Sequence, residues 1–311
     1  MRRVLALPGG GRPVSRREVP ALRDVFRAGD GTPIYFELHG SGPPLYVCHG
    51  GPQTTFSYLS QALEPLARHF TLVYHDYRGS GRSGRAAPQT YRFEQLAADL
   101  DALRAHLGHE RVALLAHSLG GFVALHYALR YGQHLQALVL VATTPTGAMG
   151  RLVGPTLRVL GARRLIRLLV AAAGYGLIWA WRRESPARRR ARLRLLALLQ
   201  EGRADRMELV RAAEREATVS SDNAPYLEAE VYRTDLTPHL GRIRCPVLVA
   251  CGDRDAVFFA ALRLYRQHWP GATYVIFPGV GHHPAIEEPE TFVPAVTGFL
   301  RDQWAGMDVS A

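Results

Sequence analysis

The sequence predicts an α/β fold, a mostly parallel sheet flanked by helices and interrupted by a helical insertion. Three observations predict it. Short apolar runs alternate with amphipathic stretches from residue 30 to 150, each run closes on polar turn chemistry, and the alternation stops near Pro145 and resumes at Pro246. Parallel strands need a crossover between them and are covered on both faces, so they read as continuous apolar runs separated by helical patterns.

Taken in order, the first 20 residues are rich in Pro and Arg and read as a loose arm. Phe26 to Gly40 reads as a hairpin turning at Gly29-Asp30-Gly31. Pro44 to Cys48 is the first buried strand and runs into His49-Gly50-Gly51-Pro52. Phe70 to Tyr74 runs into His75-Asp76-Tyr77-Arg78-Gly79, Arg111 to Ala116 into His117-Ser118, and Ala137 to Val141 into Ala142-Thr143-Thr144-Pro145. Phe93, Leu96, Ala97, Leu100, Leu103 and Leu107 recur at three- and four-residue spacing, the period of a helix with one buried face. Phe122 to Arg130 is a second helical run. Residues 146 to 238 read as helices with Arg on their polar faces, over Leu157 to Ala173, Arg188 to Leu199 and Met207 to Ala217. Strand patterns return at Pro246 to Ala250 and Thr273 to Phe277, and an amphipathic stretch from Glu288 to Trp304 closes the chain. The predicted organisation is an arm (1–20), a core in two pieces (21–145 and 239–311) and an inserted helical cap (146–238). No repeat of 20 to 50 residues is present, which excludes solenoids and propellers.

The chain has 311 residues, 47% of them hydrophobic, enough to bury a core and to exclude a disordered polymer. The longest apolar run, Leu168 to Trp181, would rise about 21 Å as a helix, short of a membrane span. Arg2 and Arg3 are followed only by Val4 to Leu7 before Pro8, which lacks the apolar stretch of a secretory signal, so a cytoplasmic protein is expected. Cys48, Cys245 and Cys251 show neither CxxC spacing nor a companion histidine set, so buried thiols are expected and no metal or cofactor is called for. The formal charge of +11 comes entirely from Arg. Between Arg151 and Glu216 stand 16 Arg against 6 acids, a local balance of +10. Arg-rich helices invite a nucleic-acid reading, but no helix-turn-helix, zinc or RNP pattern accompanies them, and none is expected to bind. Leu168 to Trp181, flanked by Arg163, Arg164, Arg167, Arg182 and Arg183, has the make-up of an interfacial helix, which makes contact with an anionic membrane surface a lesser expectation.

The sharpest motif is Ala116-His117-Ser118-Leu119-Gly120-Gly121, between a strand and a helix. A serine on such a tight turn holds its hydroxyl above the sheet edge, and small neighbours let strand and helix approach closely. A bare S-x-G-G also caps helices, so its company decides. Serine is a poor nucleophile unless a base takes its proton. Cys251-Gly252-Asp253-Arg254-Asp255 and Gly279-Val280-Gly281-His282-His283-Pro284 follow, each after a strand, giving Ser, acid and His in chain order at one sheet edge. Asp253 could cap the turn and Asp255 orient the base, or the reverse; His282, directly after Gly281, is preferred to His283. The amides of Gly51 and Leu119 are the candidate oxyanion donors. Asp76-Tyr77-Arg78-Gly79-Ser80-Gly81-Arg82-Ser83 lacks the lysine of a phosphate loop and reads as a brace for the oxyanion loop.

Together these parts resemble the α/β-hydrolase superfamily over nearly the whole chain outside the first 20 residues. The pairing of His49-Gly50-Gly51-Pro52 with Asp76 to Ser83 resembles the proline iminopeptidase branch. The resemblance implies the α/β-hydrolase fold and places the acid at Asp255. It implies a metal-free, cofactor-free serine hydrolase acting through an acyl-enzyme, with Ser118 as nucleophile, His282 as general base and then acid, and Asp255 orienting the imidazole. The implied substrates are short peptides or arylamides that lose an N-terminal proline or other residue; the alternative is a small carboxylic ester or lactone. Two departures bear on that choice: Gln53 stands where the branch has Gly, and Ala116-His117-Ser118-Leu119-Gly120 stands where it has Gly-Gly-Ser-Trp-Gly, closer to the esterase, lactonase and C–C hydrolase pattern. Aminopeptidases of the branch also need carboxylates for the substrate's α-ammonium. The candidates are Glu201, Glu208, Glu214, Glu216, Glu228 and Glu230, several of which sit one helical turn from Arg and read equally as surface ion pairs. A serine nucleophile disfavours epoxide hydrolase and dehalogenase chemistry, which the superfamily runs with Asp at that position.

Overall fold

The computed structural model describes residues 22–160, 164–167, 198–200, 202–219 and 221–305. Its strands are β1 (Leu22–Arg27), β2 (Pro33–His39), β3 (Pro44–Cys48), β4 (Thr71–His75), β5 (Val112–His117), β6 (Leu135–Val141), β7 (Val247–Gly252) and β8 (Thr273–Phe277). They form one sheet in the order β1-β2-β4-β3-β5-β6-β7-β8. The first two strands are the hairpin predicted at Gly29-Asp30-Gly31, and β2 pairs antiparallel with β4; all later pairings are parallel. The helices are α1 (Ser57–Leu63), α2 (Phe93–His106), α3 (Gly120–Arg130), α4 (Met149–Val159), α5 (Met207–Ala217), α6 (Ala224–Arg233), α7 (Ala256–His268), α8 (Pro284–Glu287) and α9 (Pro289–Trp304).

Side chains alternate between the two sheet faces, and each face has its own core. Tyr46, Cys48, Leu114, Ala116, Leu138 and Leu140 pack against Phe93 and Leu100 of α2, Phe122 of α3 and Tyr265 of α7. Leu45, Val47, Ala113, Leu115, Val139 and Leu248 pack against Leu59 and Leu63 of α1 and Phe292, Val296 and Leu300 of α9. All six residues of β5 are buried, so this strand carries Ser118 out of the centre of the sheet. All three cysteines are free thiols, two of them buried.

The insertion leaves the core after β6 and returns before β7. Its base is closed by Gly147 N–H donating to Thr234 O at 2.9 Å and Leu236 N–H donating to Pro145 O at 2.8 Å. The end of α5 is stitched to the loop after β3: Thr55 N–H donates to Ala217 O and Val219 N–H to Gln53 O, both at 3.0 Å. Glu230 of α6 accepts the Phe93 N–H at the start of α2, at 2.7 Å. The expected helix Met207–Ala217 coincides with α5. The helix expected from Leu157 to Ala173 is met in part. The chain is helical from Met149 to Val159, turns extended at Leu160 and is helical again over residues 164–167, while 161–163 and 168–173 lie outside the described residues. Gly150, Gly154 and Pro155 read as breakers, but burial of Leu152 against Ala261 and Leu264 of α7 outweighs them. The expected arm, the apolar run Leu168 to Trp181 and the helix Arg188 to Leu199, save residues 198–199, lie outside the described residues. Among the described residues no helix is long and apolar enough to cross a membrane.

Candidate active site

The C-terminal ends of β3, β5, β7 and β8 meet at one sheet edge. Ser118 sits on the turn from β5 into α3 with φ +54°. That left-handed conformation costs an L-residue about 1–2 kcal/mol, so the surroundings must hold it. Ser118 N–H donates to Val141 O at 3.1 Å, and the neighbours leave no alternative path. A Cβ on Gly120 would lie 2.2 Å from Cys48 O, and one on Gly121 2.7 Å from Thr143 Cβ. Ala116, where the motif usually has Gly, is buried in the regular part of β5, opposite Cys48 and Leu140. Its side chain therefore meets strand packing and not the tight turn.

His282 Nε2 lies 3.0 Å from Ser118 Oγ, and His282 Nδ1 lies 2.6 Å from Asp255 Oδ2. Asp255 is fully buried, and its other oxygen accepts the Phe258 N–H at the start of α7. The Phe258 ring packs 4.8 Å from the His282 ring. The neighbours left open by the sequence go elsewhere. Asp253 Oδ1 accepts Gly279 N–H at 2.8 Å, tying the β7 loop to the β8 loop. His283 Nε2 lies 3.1 Å from Glu214 Oε1 of α5.

Leu119 follows Ser118 directly, and Gly51, at φ +58°, follows Gly50, where a Cβ would lie 2.8 Å from Ser118 Cβ. Among the described residues neither backbone N–H has a hydrogen-bond acceptor. Orphan amides are rare inside proteins. Gly50 is different: its N–H donates to Tyr58 Oη at 2.7 Å, and its carbonyl accepts from Thr54 Oγ1 at 2.6 Å. The loop after β4 braces this one from behind. Tyr77 Oη donates to His49 O at 2.9 Å and its ring stacks on His49 at 4.1 Å, while Ser80 Oγ donates to Thr54 O.

Sequence reasoning missed three groups. Tyr58 Oη lies 2.6 Å from His117 Nδ1, and His117 Nε2 lies 2.8 Å from His282 O. Burial first, and the neighbouring His282 and His283 second, hold the His117 imidazole well below its ordinary value. Glu287 accepts the N–H groups of Gly281, His283 and Arg203 at 2.8, 3.0 and 3.0 Å, gripping the His282 loop on both sides and joining it to the insertion. His117 carried a signal in its place next to Ser118; Tyr58 and Glu287 carried none.

Of the six candidate ammonium-binding acids, Glu214 is brought beside His283. Its side chain is about half exposed, at 49%. Burial pushes its carboxyl up, but the hydrogen bond from His283 and the nearby His282 outweigh this and leave it below the usual value. Glu208 pairs with Arg215, Glu230 caps α2, Glu228 is part-buried on α6, Glu216 is exposed, and Glu201 lies outside the described residues.

Residues 43–289 match the family model for the alpha/beta hydrolase fold. The proline iminopeptidase PfmaB of Pestalotiopsis fici is 33% identical over 126 residues, 38% of this chain and 43% of that protein, so the chain matches less than half the length of that relative. Among solved structures, a proline iminopeptidase-related protein of Thermus thermophilus aligns with TM-score 0.73 and 28% identity over 93% of this chain and 100% of the other. A thermophilic esterase of Thermogutta terrifontis aligns with TM-score 0.66 and 25% identity over 92% and 99% of the two chains.

Proposed function

The chain belongs to the α/β-hydrolase family, and from that premise we propose that it is a serine hydrolase acting through an acyl-enzyme. Ser118 is the nucleophile, His282 the general base and then acid, and Asp255 the group that orients the imidazole. The single observation that carries this is the chain of contacts from Ser118 Oγ to His282 Nε2 at 3.0 Å and from His282 Nδ1 to Asp255 Oδ2 at 2.6 Å. With Asp255 accepting a hydrogen bond from the Nδ1–H, the Nε2 lone pair faces the serine hydroxyl. His282 takes the hydroxyl proton as Oγ attacks the substrate carbonyl, and the negative charge on the carbonyl oxygen falls to the N–H groups of Gly51 and Leu119. The imidazolium then protonates the leaving group. Water, deprotonated by the same imidazole, releases the acid and restores Ser118.

The proposed substrates are short peptides or arylamides with a free N-terminus, and residues 146–238 form the cap that selects them. Glu214 supports this reading: a charged, half-exposed carboxylate beside His283 retains lone pairs for an α-ammonium. One observation favours the second reading, a carboxylic ester or lactone. Glu214 is a single carboxylate beside His283, whereas the branch uses more than one.

The test compares proline naphthylamide, other aminoacyl naphthylamides and short-chain p-nitrophenyl esters, with Ser118→Ala and Glu214→Gln as variants. Turnover is expected to vanish in Ser118→Ala. In Glu214→Gln, KM should rise about tenfold for the arylamides, in keeping with loss of one charge-assisted bond of about 1.5 kcal/mol, and stay level for the esters. Turnover retained by Ser118→Ala sinks the serine mechanism. Arylamides left intact while esters are cleaved replace the peptidase with an esterase.

A further inference from the structure

We infer that Tyr58 and His117 form a buried positioning relay that fixes the oxyanion loop and the His282 loop in one register on either side of Ser118. The inference rests on the serine-hydrolase reading and adds to it two groups that touch no substrate. Donor and acceptor roles along the chain are forced. Gly50 N–H can only donate, so Tyr58 Oη accepts it at 2.7 Å. The one phenolic proton then goes to His117 Nδ1 at 2.6 Å. An imidazole accepting at Nδ1 carries its proton on Nε2, and that N–H donates to the His282 carbonyl at 2.8 Å. A protonated His117 would set a donor against the Tyr58 hydroxyl, and burial, which keeps this ring neutral, removes that alternative. Tyr58 is 5% exposed and His117 3% exposed, so water does not compete for these bonds.

The relay bears on the chemistry through the two peptide planes that meet at Gly50, the second of which carries the Gly51 N–H. Tyr58 holds the N–H of Gly50, while Thr54 Oγ1 at 2.6 Å and His49 Nδ1 at 2.9 Å hold its carbonyl. A trans peptide points its C=O and the next N–H in opposite directions. Anchoring Gly50 at both ends therefore sets the direction of the Gly51 N–H, the proposed oxyanion donor. At the far end, His117 holds the main chain of His282 while Asp255 holds its ring. Donor and base are thus located against the same two side chains.

The test uses the full-length enzyme, a cleaved substrate and a boronic acid that mimics the tetrahedral intermediate. Tyr58→Phe keeps the ring and removes the hydroxyl. It should lower kcat about 10- to 100-fold with KM within about twofold, below the 10²–10³ seen when an oxyanion donor is deleted outright. Boronate affinity should fall in parallel. His117→Gln, whose amide can accept from Tyr58 and donate to His282, should keep kcat within about fivefold of wild type, whereas His117→Leu should match Tyr58→Phe. The double variant Tyr58→Phe/His117→Leu should be no worse than its worse parent, because one missing link already opens the chain. Thermal melts of each variant separate a misfolded protein from a misaligned one, and His117→Gln remains informative if Tyr58→Phe fails to fold. Wild-type kcat and boronate affinity in Tyr58→Phe, or losses that multiply in the double variant, overturn the relay. Activity retained by Ser118→Ala instead overturns the underlying mechanism, and shows in that variant alone.

Discussion

Asp253 and Asp255 stand two residues apart after β7 yet meet different partners, and this separates the effects of replacing them. In Asp255→Asn the amide still accepts the Phe258 N–H, so the start of α7 keeps its cap. The same amide offers a donor to His282 Nδ1, which moves the imidazole proton to Nε2 and leaves nothing to take the Ser118 proton. The expected loss is about 10⁴ in kcat with the melting temperature little changed. Asp253→Asn still accepts Gly279 N–H and should leave kcat within about threefold, the usual range for a surface change of under 1 kcal/mol. Steady-state kinetics and thermal melts on both variants check this; a crippled Asp253→Asn beside an active Asp255→Asn moves the orienting role to the other acid. Residue types and chain order were legible in the sequence, because each side chain follows a strand that the apolar pattern marks. Gly281 pointed to His282 ahead of His283, but the choice between Asp253 and Asp255 was not legible from the loop alone, since two acids so close share composition and spacing and are told apart only by which distant amide or imidazole they reach. Tyr58 shows the limit most clearly: it lies on the apolar face of α1, and its hydroxyl finds its partner 59 residues along the chain.

Among the elements, one side chain of the loop after β4 joins three neighbours. Arg78 is fully buried and grips both oxygens of Asp99 on α2 at 2.6 Å and Asp30 in the β1–β2 turn at 2.7 Å. Its carbonyl also accepts from Asn223 at the start of α6, at 2.7 Å. A hairpin, a helix and the insertion therefore share one anchor. Arg78→Leu would leave the Asp99 carboxylate buried without its counter-charge, at a cost of about 3–5 kcal/mol, read as a fall in the urea midpoint. The acid limb should change as well. The hydrogen bond from Arg78 holds Asp30 at about 2, against an ordinary 3.8. A depressed carboxyl stabilises above its unfolded value, so this contribution is present above about pH 4 and lost as pH falls towards 2. In Arg78→Leu that part of the pH dependence should shrink to what the Thr32 hydrogen bonds to Asp30 sustain; urea midpoints unchanged from wild type over this range would remove the anchor. Parallel strands were legible because burial on both faces makes them uniformly apolar. Helices covered on several sides were harder: α7 opens with Val257-Phe258-Phe259-Ala260-Ala261, without a polar stripe to reveal its period, and α4 carries the residues of a turn while packing on α7.

At the scale of the whole molecule, the charge is unevenly placed. Residues 151–216 carry +10 of the net +11, and this stretch ends in α5, whose last residues pair with the loop that holds Gly51. A field of that sign raises the local concentration of anions and is screened over about 10 Å at 0.1 M salt. Beside His283 the chain presents a carboxylate instead, that of Glu214. On the proposed peptidase reading, a short peptide with a free N-terminus and a free C-terminus would satisfy both, its carboxylate drawn by the arginines and its ammonium by Glu214. The dipeptide acid should therefore be cleaved with higher kcat/KM than the same dipeptide with an amidated C-terminus. The ratio should shrink about three- to tenfold between 20 and 500 mM NaCl, since exposed charges are screened far more than partly buried ones. Glu214→Gln should lower both rates without changing the ratio, because the ammonium is common to the two substrates. A ratio that ignores salt would mean that the arginines direct their charge away from the substrate's path, and the preference would then have to arise from contacts at the site itself.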